Sequence, residues 1–349
     1  MTVCLVTGGA GFIGSHLVEA LVARHDRVRV LDDFSGGSWA YLENVRSEID
    51  LLTGNVTDQQ TVRAAVEGVD VVFHLACATA AAVADADPLA IHHSIATGTL
   101  HVLEAARDAQ VGRVVYAGAG VVYRDDDDQP RCETDPTMPR SLYASAKLAA
   151  EHYCLNFSRQ HGLETVRLRY FDVIGPRQPV EGPHASVVAR FFERMNRGLG
   201  PLIPGDGTQS RDFTYVEDVI QANLLAAQAP RVSGKVFNIA SGQAATLLDL
   251  SDVLNALLGT HLAPIHVASR DGEPRHLQAN IERAQTDLGF CPCTNLPRDV
   301  RRCLAETNSL RLARENIVPA TLPGFRPDAP QPSILNPPHH RRDRTYRPN

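Results

Sequence analysis

Tyr143 and Lys147 form a pair whose residue types and spacing could do chemistry. They lie four residues apart in the segment SLYASAKLAAEHY, so on a helix both side chains would share one face. A lysine cation beside a phenol favours the phenolate, which can accept a proton near neutral pH. Y-x-x-x-K on its own is common, and most instances are surface pairs. The pair therefore predicts general-base catalysis only if other residues place it beside a ligand.

A second candidate is the segment VTGGAGFIGSHL, in which glycines follow a short apolar run. A strand, a glycine loop and a helix start predict a phosphate site, because the helix start presents free amides and a partial positive charge. Gly8 would allow a tight turn, Gly11 would let the backbone approach a pyrophosphate, and Gly14 would let helix and strand pack closely. The spacing G-x-x-G-x-x-G differs slightly from the usual dinucleotide-binding G-x-G-x-x-G.

Polar residues also follow the next two predicted strands. Asp32 ends the second strand, 18 residues after Gly14. A carboxylate there accepts hydrogen bonds from a ribose diol and repels a 2′-phosphate, which predicts NAD rather than NADP. Asn55 follows the third strand, where it could meet the adenine amine or serve as a turn asparagine. The sequence leaves these two alternatives open.

The elements that must position these residues alternate between strand and helix. This order predicts an α/β fold with a doubly wound parallel sheet (a Rossmann fold), covered by helices on both faces, and a smaller C-terminal substrate lobe. We expect residues 1–170 and about 215–242 to form the NAD-binding domain, about 171–214 and 243–310 the lobe, and 315–349 a disordered tail. The predicted strands are Val3–Thr7, Val28–Asp32, Asp50–Gly54, Val69–Leu75, Arg113–Ala117, Thr165–Tyr170 and Val236–Ile239. The helical patterns include Ile13–Ala23, Thr97–Ala109 and Val216–Ala229.

Composition excludes several classes of protein. The chain has 349 residues, 44% hydrophobic and 21% charged, which is typical of a soluble globular enzyme. Its net charge of −6 offers no broad basic surface, so we expect neither nucleic acid nor membrane as a partner. Seven cysteines without paired zinc spacing predict reduced thiols, no metal site and a cytoplasmic protein. The first strand runs straight into the glycine loop, so we expect no signal peptide.

Several longer motifs identify a family. From residue 2 to about 305 the chain resembles an extended short-chain dehydrogenase/reductase of the NAD-dependent epimerase/dehydratase family, closest to UDP-glucose and UDP-N-acetylglucosamine 4-epimerases. The motifs are TGGAGFIGSHL, LDDFSGG, HLA, LEAA, VVYAGAGVVY, P-x-x-E-x-x-P-x-x-P-x-S-x-Y-x-x-x-K from Pro130 to Lys147, RYFDVIGPRQ, GDGTQSRDFTYVEDV and R-x-G-x-x-R-H from Arg270 to His276.

The resemblance implies NAD as cofactor, a nucleotide sugar as substrate, and a homodimer formed through helices near 90–108 and 143–160. It implies that Arg211 and Arg270 hold the nucleotide diphosphate, for which guanidinium groups are suited. It also implies that Leu277 bounds the pocket for a sugar N-acetyl group. Asp218 is expected to cap or brace a helix. The implied NAD contacts are Gly8, Gly11, Phe12, Ile13, Gly14, Asp32, Asn55, Val56, Leu75, Ala76, Tyr143, Lys147 and Tyr170.

Three positions depart from the family pattern. Ala119 replaces a Ser or Thr whose hydroxyl normally binds the reacting sugar oxygen. Asp172 replaces the Asn of R-Y-F-N, which puts a carboxylate where a neutral amide meets the nucleotide sugar. It could repel a diphosphate unless it points away or pairs with Arg177. Ile95 replaces the Asn of N-V-x-G-T.

The same region separates two hypotheses of function. Dehydratases and decarboxylases of the family carry acidic residues where this chain has Gly120 and Val121, so elimination lacks its acid and base. A 4-epimerase needs only a base, NAD and room for the sugar to turn over. The sequence favours such an enzyme, with Tyr143 as base. The alternative, motivated by Ala119, Asp172 and Ile95, is a catalytically impaired or silent protein that binds NAD or a nucleotide sugar.

Overall fold

The structure, a computed structural model, describes residues 1–77, 87–124, 129–179, 186–269 and 275–305. The expected tail at 315–349 lies outside these residues. The strands are β1 (Val3–Thr7), β2 (Arg27–Asp32), β3 (Ile49–Thr53), β4 (Val71–His74), β5 (Arg113–Ala119), β6 (Thr165–Tyr170), β7 (Val173–Ile174), β8 (Leu202–Pro204), β9 (Ser210–Arg211), β10 (Thr214–Tyr215), β11 (Val236–Ile239), β12 (Ala245–Thr246), β13 (Ile265–Val267) and β14 (His276–Leu277).

The α-helices are α1 (Phe12–Ala23), α2 (Gln59–Val66), α3 (Pro88–His92), α4 (Gly98–Asp108), α5 (Leu142–His161), α6 (Val187–Asn196), α7 (Val216–Gln228), α8 (Leu247–Leu258) and α9 (Glu282–Leu288). A π-helical turn at His93–Thr97 joins α3 to α4, and 3-10 turns lie at Trp39–Glu48 and Gly120–Val122. A further helical segment covers 296–305.

A seven-stranded parallel sheet in the order β11-β6-β5-β4-β1-β2-β3 is the centre of the fold. The doubly wound α/β fold is therefore confirmed. The late strand β11 belongs to the same sheet, as the sequence predicted, and it pairs with β6. Strands of a parallel sheet are covered on both faces, which explains why they read as continuous apolar runs.

The two faces of the sheet pack against different helices. In β1, Cys4 and Val6 point into one core with α1 and α7, whereas Leu5 points into the other core with α2, α4 and α5. This alternation follows from the two-residue period of a strand. The sheet is thereby packed between two apolar layers. Because the strands are held in place, the positions at which the loops begin are fixed.

The short strands lie in the segments that we expected to form a smaller lobe. β9 pairs with β12 and β14, β8 with β13, and β7 with β10. Asp218, in the first turn of α7, accepts hydrogen bonds from the amides of Cys293 and Thr294 and from the Thr294 hydroxyl, so it braces that segment. The division of the chain into a cofactor domain and a substrate lobe stays a prediction.

Candidate functional site

One cleft brings together every residue for which the sequence predicted a cofactor contact. It lies at the carboxyl ends of the parallel strands, where open α/β sheets bind ligands. The residues that line it are up to 171 positions apart in the chain. The predicted residues that line it are Gly8, Gly11, Phe12, Ile13, Gly14, Asp32, Asn55, Val56, Leu75, Ala76, Tyr143, Lys147 and Tyr170.

The glycine loop has the geometry that a pyrophosphate requires. Gly8 has φ +71°, and a Cβ there would lie 2.7 Å from the amide nitrogen of Ala76. A Cβ on Gly14 would overlap the carbonyl oxygen of Gly8. A Cβ on Gly11 would meet only that oxygen, at 3.2 Å, and would otherwise project into open space. Since Gly11 begins α1 without a side-chain cap, the helix start can receive an anion, and the loop fits NAD.

Asp32 ties the glycine loop to the end of β2. Its Oδ2 accepts a 2.8 Å hydrogen bond from the Ala10 amide, and its Oδ1 accepts a 2.8 Å bond from the Phe34 amide. Burial raises the pKa of this carboxyl, and the two amide hydrogen bonds oppose that shift. Each oxygen keeps a second acceptor position for a ribose hydroxyl. The predicted choice of NAD over NADP is compatible with this geometry and stays a prediction.

Asn55 is a turn asparagine. Its Oδ1 accepts 2.8 Å hydrogen bonds from the amide and the hydroxyl of Thr57, and its Nδ2 donates to Asp33 at 2.5 Å. A contact with adenine stays a prediction. Sequence reasoning missed other residues of the cleft, although the DFSGG segment next to Asp32 pointed to some of them. The missed residues are Leu31, Asp33, Ser35, Gly36, Gly37, Gly54, Cys77, Ser94, Ala117, Gly118, Gln178 and Pro179.

Tyr143 and Lys147 share one face of α5, as the spacing predicted. Ser141 caps this helix by accepting a hydrogen bond from the amide of Ala144. The Lys147 ammonium lies 5.8 Å from the centre of the Tyr143 ring. It is buried and donates a 2.8 Å hydrogen bond to the carbonyl oxygen of Ala117. The pair thus sits against the end of β5, inside the cleft.

Lys147 lowers the pKa of Tyr143, as the sequence predicted, but burial acts in the opposite direction. Burial raises the pKa of Tyr143 to about 12, and the opposing effect of Lys147 is smaller. Burial lowers the pKa of Lys147, but Cys77 and Tyr143 outweigh it, so that the pKa is raised. The ammonium therefore stays positively charged beside the phenol at neutral pH.

A buried polar chain supports the floor of the cleft. His74 makes hydrogen bonds of 2.7 Å with the Thr7 hydroxyl and 3.0 Å with the Thr99 hydroxyl. Burial, with a contribution from Lys147, lowers the pKa of His74 to about 3, so this imidazole is neutral. The Thr7 hydroxyl also accepts a hydrogen bond from the amide of Ala76. The carboxyl ends of β1 and β4 are thereby fixed to each other.

None of the described residues assigned to the substrate lines this cleft, although Ala119 follows Gly118 of the lining and Asp172 lies two residues after Tyr170. Ala119 ends β5 and pairs with Tyr170 of β6. Asp172 follows β6, and Arg211 of β9 pairs in register with Leu277 of β14. Leu277 is buried in a small cluster with Tyr123 and Phe171. Arg270 lies outside the described residues.

The structure shows the surroundings of Asp172 and Ile95, two of the residues that depart from the family pattern. Arg177 forms an ion pair of 2.7 Å with Glu19, and among the described residues it forms none with Asp172. The positive group that acts on Asp172 is Arg211 instead. Ile95 is buried in the core, while its neighbour Ser94 lines the cleft. Ile95 is therefore a packing residue here.

The described residues contain neither a candidate membrane span nor a candidate metal cluster. None of their helices has the length and the apolar character needed to cross a bilayer. Within the same residues, His, Cys, Asp and Glu side chains form no group of three or more that could hold a metal ion.

Comparison with known proteins gives consistent results. Residues 4–240 match the family described as the NAD dependent epimerase/dehydratase family. The chain is 34% identical over 271 residues to a UDP-N-acetyl-alpha-D-glucosaminuronate decarboxylase from Bacillus cytotoxicus, covering 76% of this chain and 83% of that one. A UDP-glucose 4-epimerase from Thermotoga maritima, solved with UDP-glucose, superposes with a TM-score of 0.83 at 32% identity, covering 89% of this chain and 100% of the other. A UDP-glucuronic acid 4-epimerase from Bacillus cereus, in complex with UDP-glucuronic acid and NAD, gives 0.81 at 28% identity, with coverages of 88% and 100%.

Proposed function

Because the chain belongs to the NAD dependent epimerase/dehydratase family, we propose that it is a nucleotide-sugar 4-epimerase that acts on a UDP-hexose. The observation that carries this proposal is the position of Tyr143 and Lys147 in the cleft that the glycine loop opens. A proton acceptor and a dinucleotide site in one cleft can together oxidise and reduce a sugar alcohol.

Tyr143 accepts the proton of the C4 hydroxyl and returns it after the sugar has turned over. When bound, NAD would supply a positively charged ring that accepts the C4 hydride and later returns it to the sugar. Lys147 holds its ammonium beside the phenol through its hydrogen bond to Ala117 and so stabilises the phenolate. Arg211, together with Arg270, binds the diphosphate of the substrate.

The alternative chemistry of the family, elimination of water, lacks its residues here. A side chain at Gly120 would lie 2.9 Å from the ring of Phe171, so there is no room for an acid. Val121 is partly exposed and apolar. Neither Gly120 nor Val121 can accept the C5 proton. This favours epimerisation over dehydration.

The experiment is to incubate the protein with NAD and UDP-galactose and to separate the sugar nucleotides by chromatography. We expect conversion to UDP-glucose until an equilibrium mixture forms, from either direction. If NAD and UDP-galactose both bind and neither hexose is converted, the proposal is wrong. The second candidate, a silent binder suggested by the missing hydroxyl at Ala119, then takes its place.

We also propose a homodimer in which α3, α4 and α5 of two copies pack together. Leu89 of α3 and Leu142 of α5 are exposed large apolar residues on these helices. Burying them in a second copy would remove apolar area from water. Light scattering coupled to gel filtration should give about twice the mass of 37.9 kDa.

A further inference from the structure

Cys77 lies just beyond the carboxyl end of β4, where the chain leaves the central sheet. Among the described residues that line the cleft it is the one cysteine, and its thiol is free and half-buried. Leu75 and Ala76, which precede it, line the same wall. The amide of Ala76 is held by the Thr7 hydroxyl at 3.2 Å. Cys77 therefore starts from a fixed backbone position, and it is open to a molecule that enters the cleft.

The Cys77 thiol lies beside the ammonium group of Lys147. His74 of β4 pairs with Tyr116 of β5, and neighbouring strands of a sheet lie about 4.8 Å apart. The ammonium is bonded to the carbonyl oxygen of Ala117, directly after Tyr116, so Cys77 and Lys147 meet at the ends of two adjacent strands. Burial lowers the pKa of Lys147, whereas the charge and the side-chain hydrogen bond of Cys77 contribute to raising it. The sulfur is thus within hydrogen-bonding reach of the ammonium.

The ammonium group also leaves a donor for a further oxygen. Lys147 is 3% exposed and lines the cleft. An ammonium has three N–H donors, of which Ala117 and Cys77 take two among the described residues. The third donor can bind an oxygen atom in the cleft, including one that is attached to the Cys77 sulfur. This buried cation is an observation independent of the cysteine, and it points to a negatively polarised group at the same place.

Four other cysteines provide a comparison. Cys4 and Cys154 are buried, and burial raises the pKa of each thiol to about 12. Cys291 and Cys293 are exposed, but they are not among the residues that line the cleft. Cysteines that react with oxidants are partly exposed and lie next to a positive group. Cys77 meets both conditions inside the cleft.

We propose that Cys77 is a site of oxidation by hydrogen peroxide, and that this modification excludes NAD from the cleft. The sulfur attacks one peroxide oxygen, the O–O bond breaks, and the second oxygen leaves as hydroxide, which takes the thiol proton and becomes water. The sulfur loses two electrons and becomes a sulfenic acid, and the peroxide gains the same two. The new oxygen occupies space beside Leu75 and Ala76, which line the cleft. The inference needs the NAD site, but it does not depend on which sugar is turned over.

The first test measures oxidation at each cysteine of the full-length protein, with bound nucleotide removed and with NAD added back. Hydrogen peroxide is applied together with dimedone, which labels sulfenic acids, and mass spectrometry of peptides locates the label. NAD at about ten times its dissociation constant leaves about one site in ten free, so labelling of Cys77 should slow about tenfold. The exposed Cys291 and Cys293 are internal controls, whose labelling should not depend on NAD.

The second test measures NAD binding by calorimetry, without dimedone, before and after peroxide. Oxidation should weaken binding at least tenfold, or by about 1.4 kcal/mol, and dithiothreitol should restore it. Cys77→Ser should make NAD binding insensitive to peroxide, whereas the control Cys291→Ser should lose affinity as the parent does.

Three results overturn the inference: no label on Cys77, labelling of Cys77 that NAD does not slow, or unchanged NAD affinity after Cys77 has been oxidised. A loss of affinity that persists in Cys77→Ser also overturns it. If Cys77→Ser does not fold or bind NAD, the site-resolved labelling and the calorimetry of the parent still decide. Oxidation of Cys77 that NAD prevents, in a protein that converts no UDP-hexose, overturns only the proposed function.

Discussion

The ammonium group of Lys147 donates a 2.8 Å hydrogen bond to the carbonyl oxygen of Ala117. This bond joins the first third of α5 to the end of β5, two residues before Ala119. It fixes a positive charge 5.8 Å from the centre of the Tyr143 ring. The lysine therefore acts on the tyrosine through its field and through the placement of the helix.

Tyr143→Phe should remove most turnover and leave NAD binding nearly intact. The phenol is the proton acceptor in the proposed reaction, and general-base catalysis contributes roughly 10²–10⁴-fold. Turnover of UDP-galactose and NAD affinity would be measured side by side. Tyr153→Phe, on the same helix but outside the cleft lining, is the matched control and should behave like the parent. Parental activity in Tyr143→Phe would exclude this residue as the base.

Ala119→Ser should raise the rate of epimerisation. The C4 oxygen gains a hydrogen-bond donor, which is worth roughly 10²–10³-fold at most at a developing oxyanion. A water that already occupies the place would reduce the gain to about tenfold, or about 1.4 kcal/mol of barrier.

The isosteric variants Ala119→Thr and Ala119→Val separate the hydroxyl from the added volume. Thr should be faster than Val, with thermal melts to check folding. A parent that is already as fast as Ala119→Ser would show that the partner of the C4 oxygen lies elsewhere.

Gly11→Ala and Gly14→Ala should fail in different ways. At Gly14 the new methyl group would overlap the backbone of Gly8, so we expect a loss of roughly 1–3 kcal/mol in the free energy of unfolding. At Gly11 the methyl group projects into the cleft, so folding should be kept while NAD affinity falls tenfold or more. Urea unfolding and calorimetry measure the two effects. Equal losses in the free energy of unfolding for Gly11→Ala and Gly14→Ala would contradict the assignment of Gly11 to the open side of the loop.

NAD should bind at least tenfold more tightly than NADP. A 2′-phosphate beside the Asp32 carboxylate meets like charge, and the amides of Ala10 and Phe34 hold that carboxylate in place. Calorimetry with both dinucleotides at low and high salt measures the difference, which should shrink as salt screens the repulsion. Asp33→Asn provides a comparison at the exposed neighbour. Equal affinities for the two dinucleotides would refute the role of Asp32.

Acid should destabilise the protein through His74. The pKa of this residue is about 3 in the folded chain and about 6.5 in a free imidazole, so the unfolded chain binds the additional proton between these values. The contribution of neutral His74 is complete above pH 6.5 and is lost as the pH falls toward 3, by at most about 1.4 kcal/mol per pH unit. Urea unfolding from pH 7 to 4 should show a steeper loss in the parent than in His74→Gln. If the free energies of unfolding of the parent and of His74→Gln fall in parallel as the pH is lowered, this role of His74 is wrong.

The sequence by itself determined the order of elements, the parallel sheet and the cofactor side of the cleft. Apolar periodicity and glycine spacing act over a few residues, so Val3–Thr7, the glycine loop and the position of Asp32 could be predicted locally. The four-residue spacing of Tyr143 and Lys147 likewise required only a helix. The family motifs predicted further residues that line the cleft, such as Leu75, Ala76 and Tyr170.

Only the tertiary structure decided how these groups affect one another. The pKa of Tyr143 depends on its burial more than on its neighbour Lys147, and burial is a property of the whole fold. Arg177 binds Glu19, 158 residues away, and among the described residues it forms no ion pair with Asp172. Asn55 is committed to its own turn and to Asp33. Partners of this kind are chosen by the packing of distant segments, which no local pattern of residues contains.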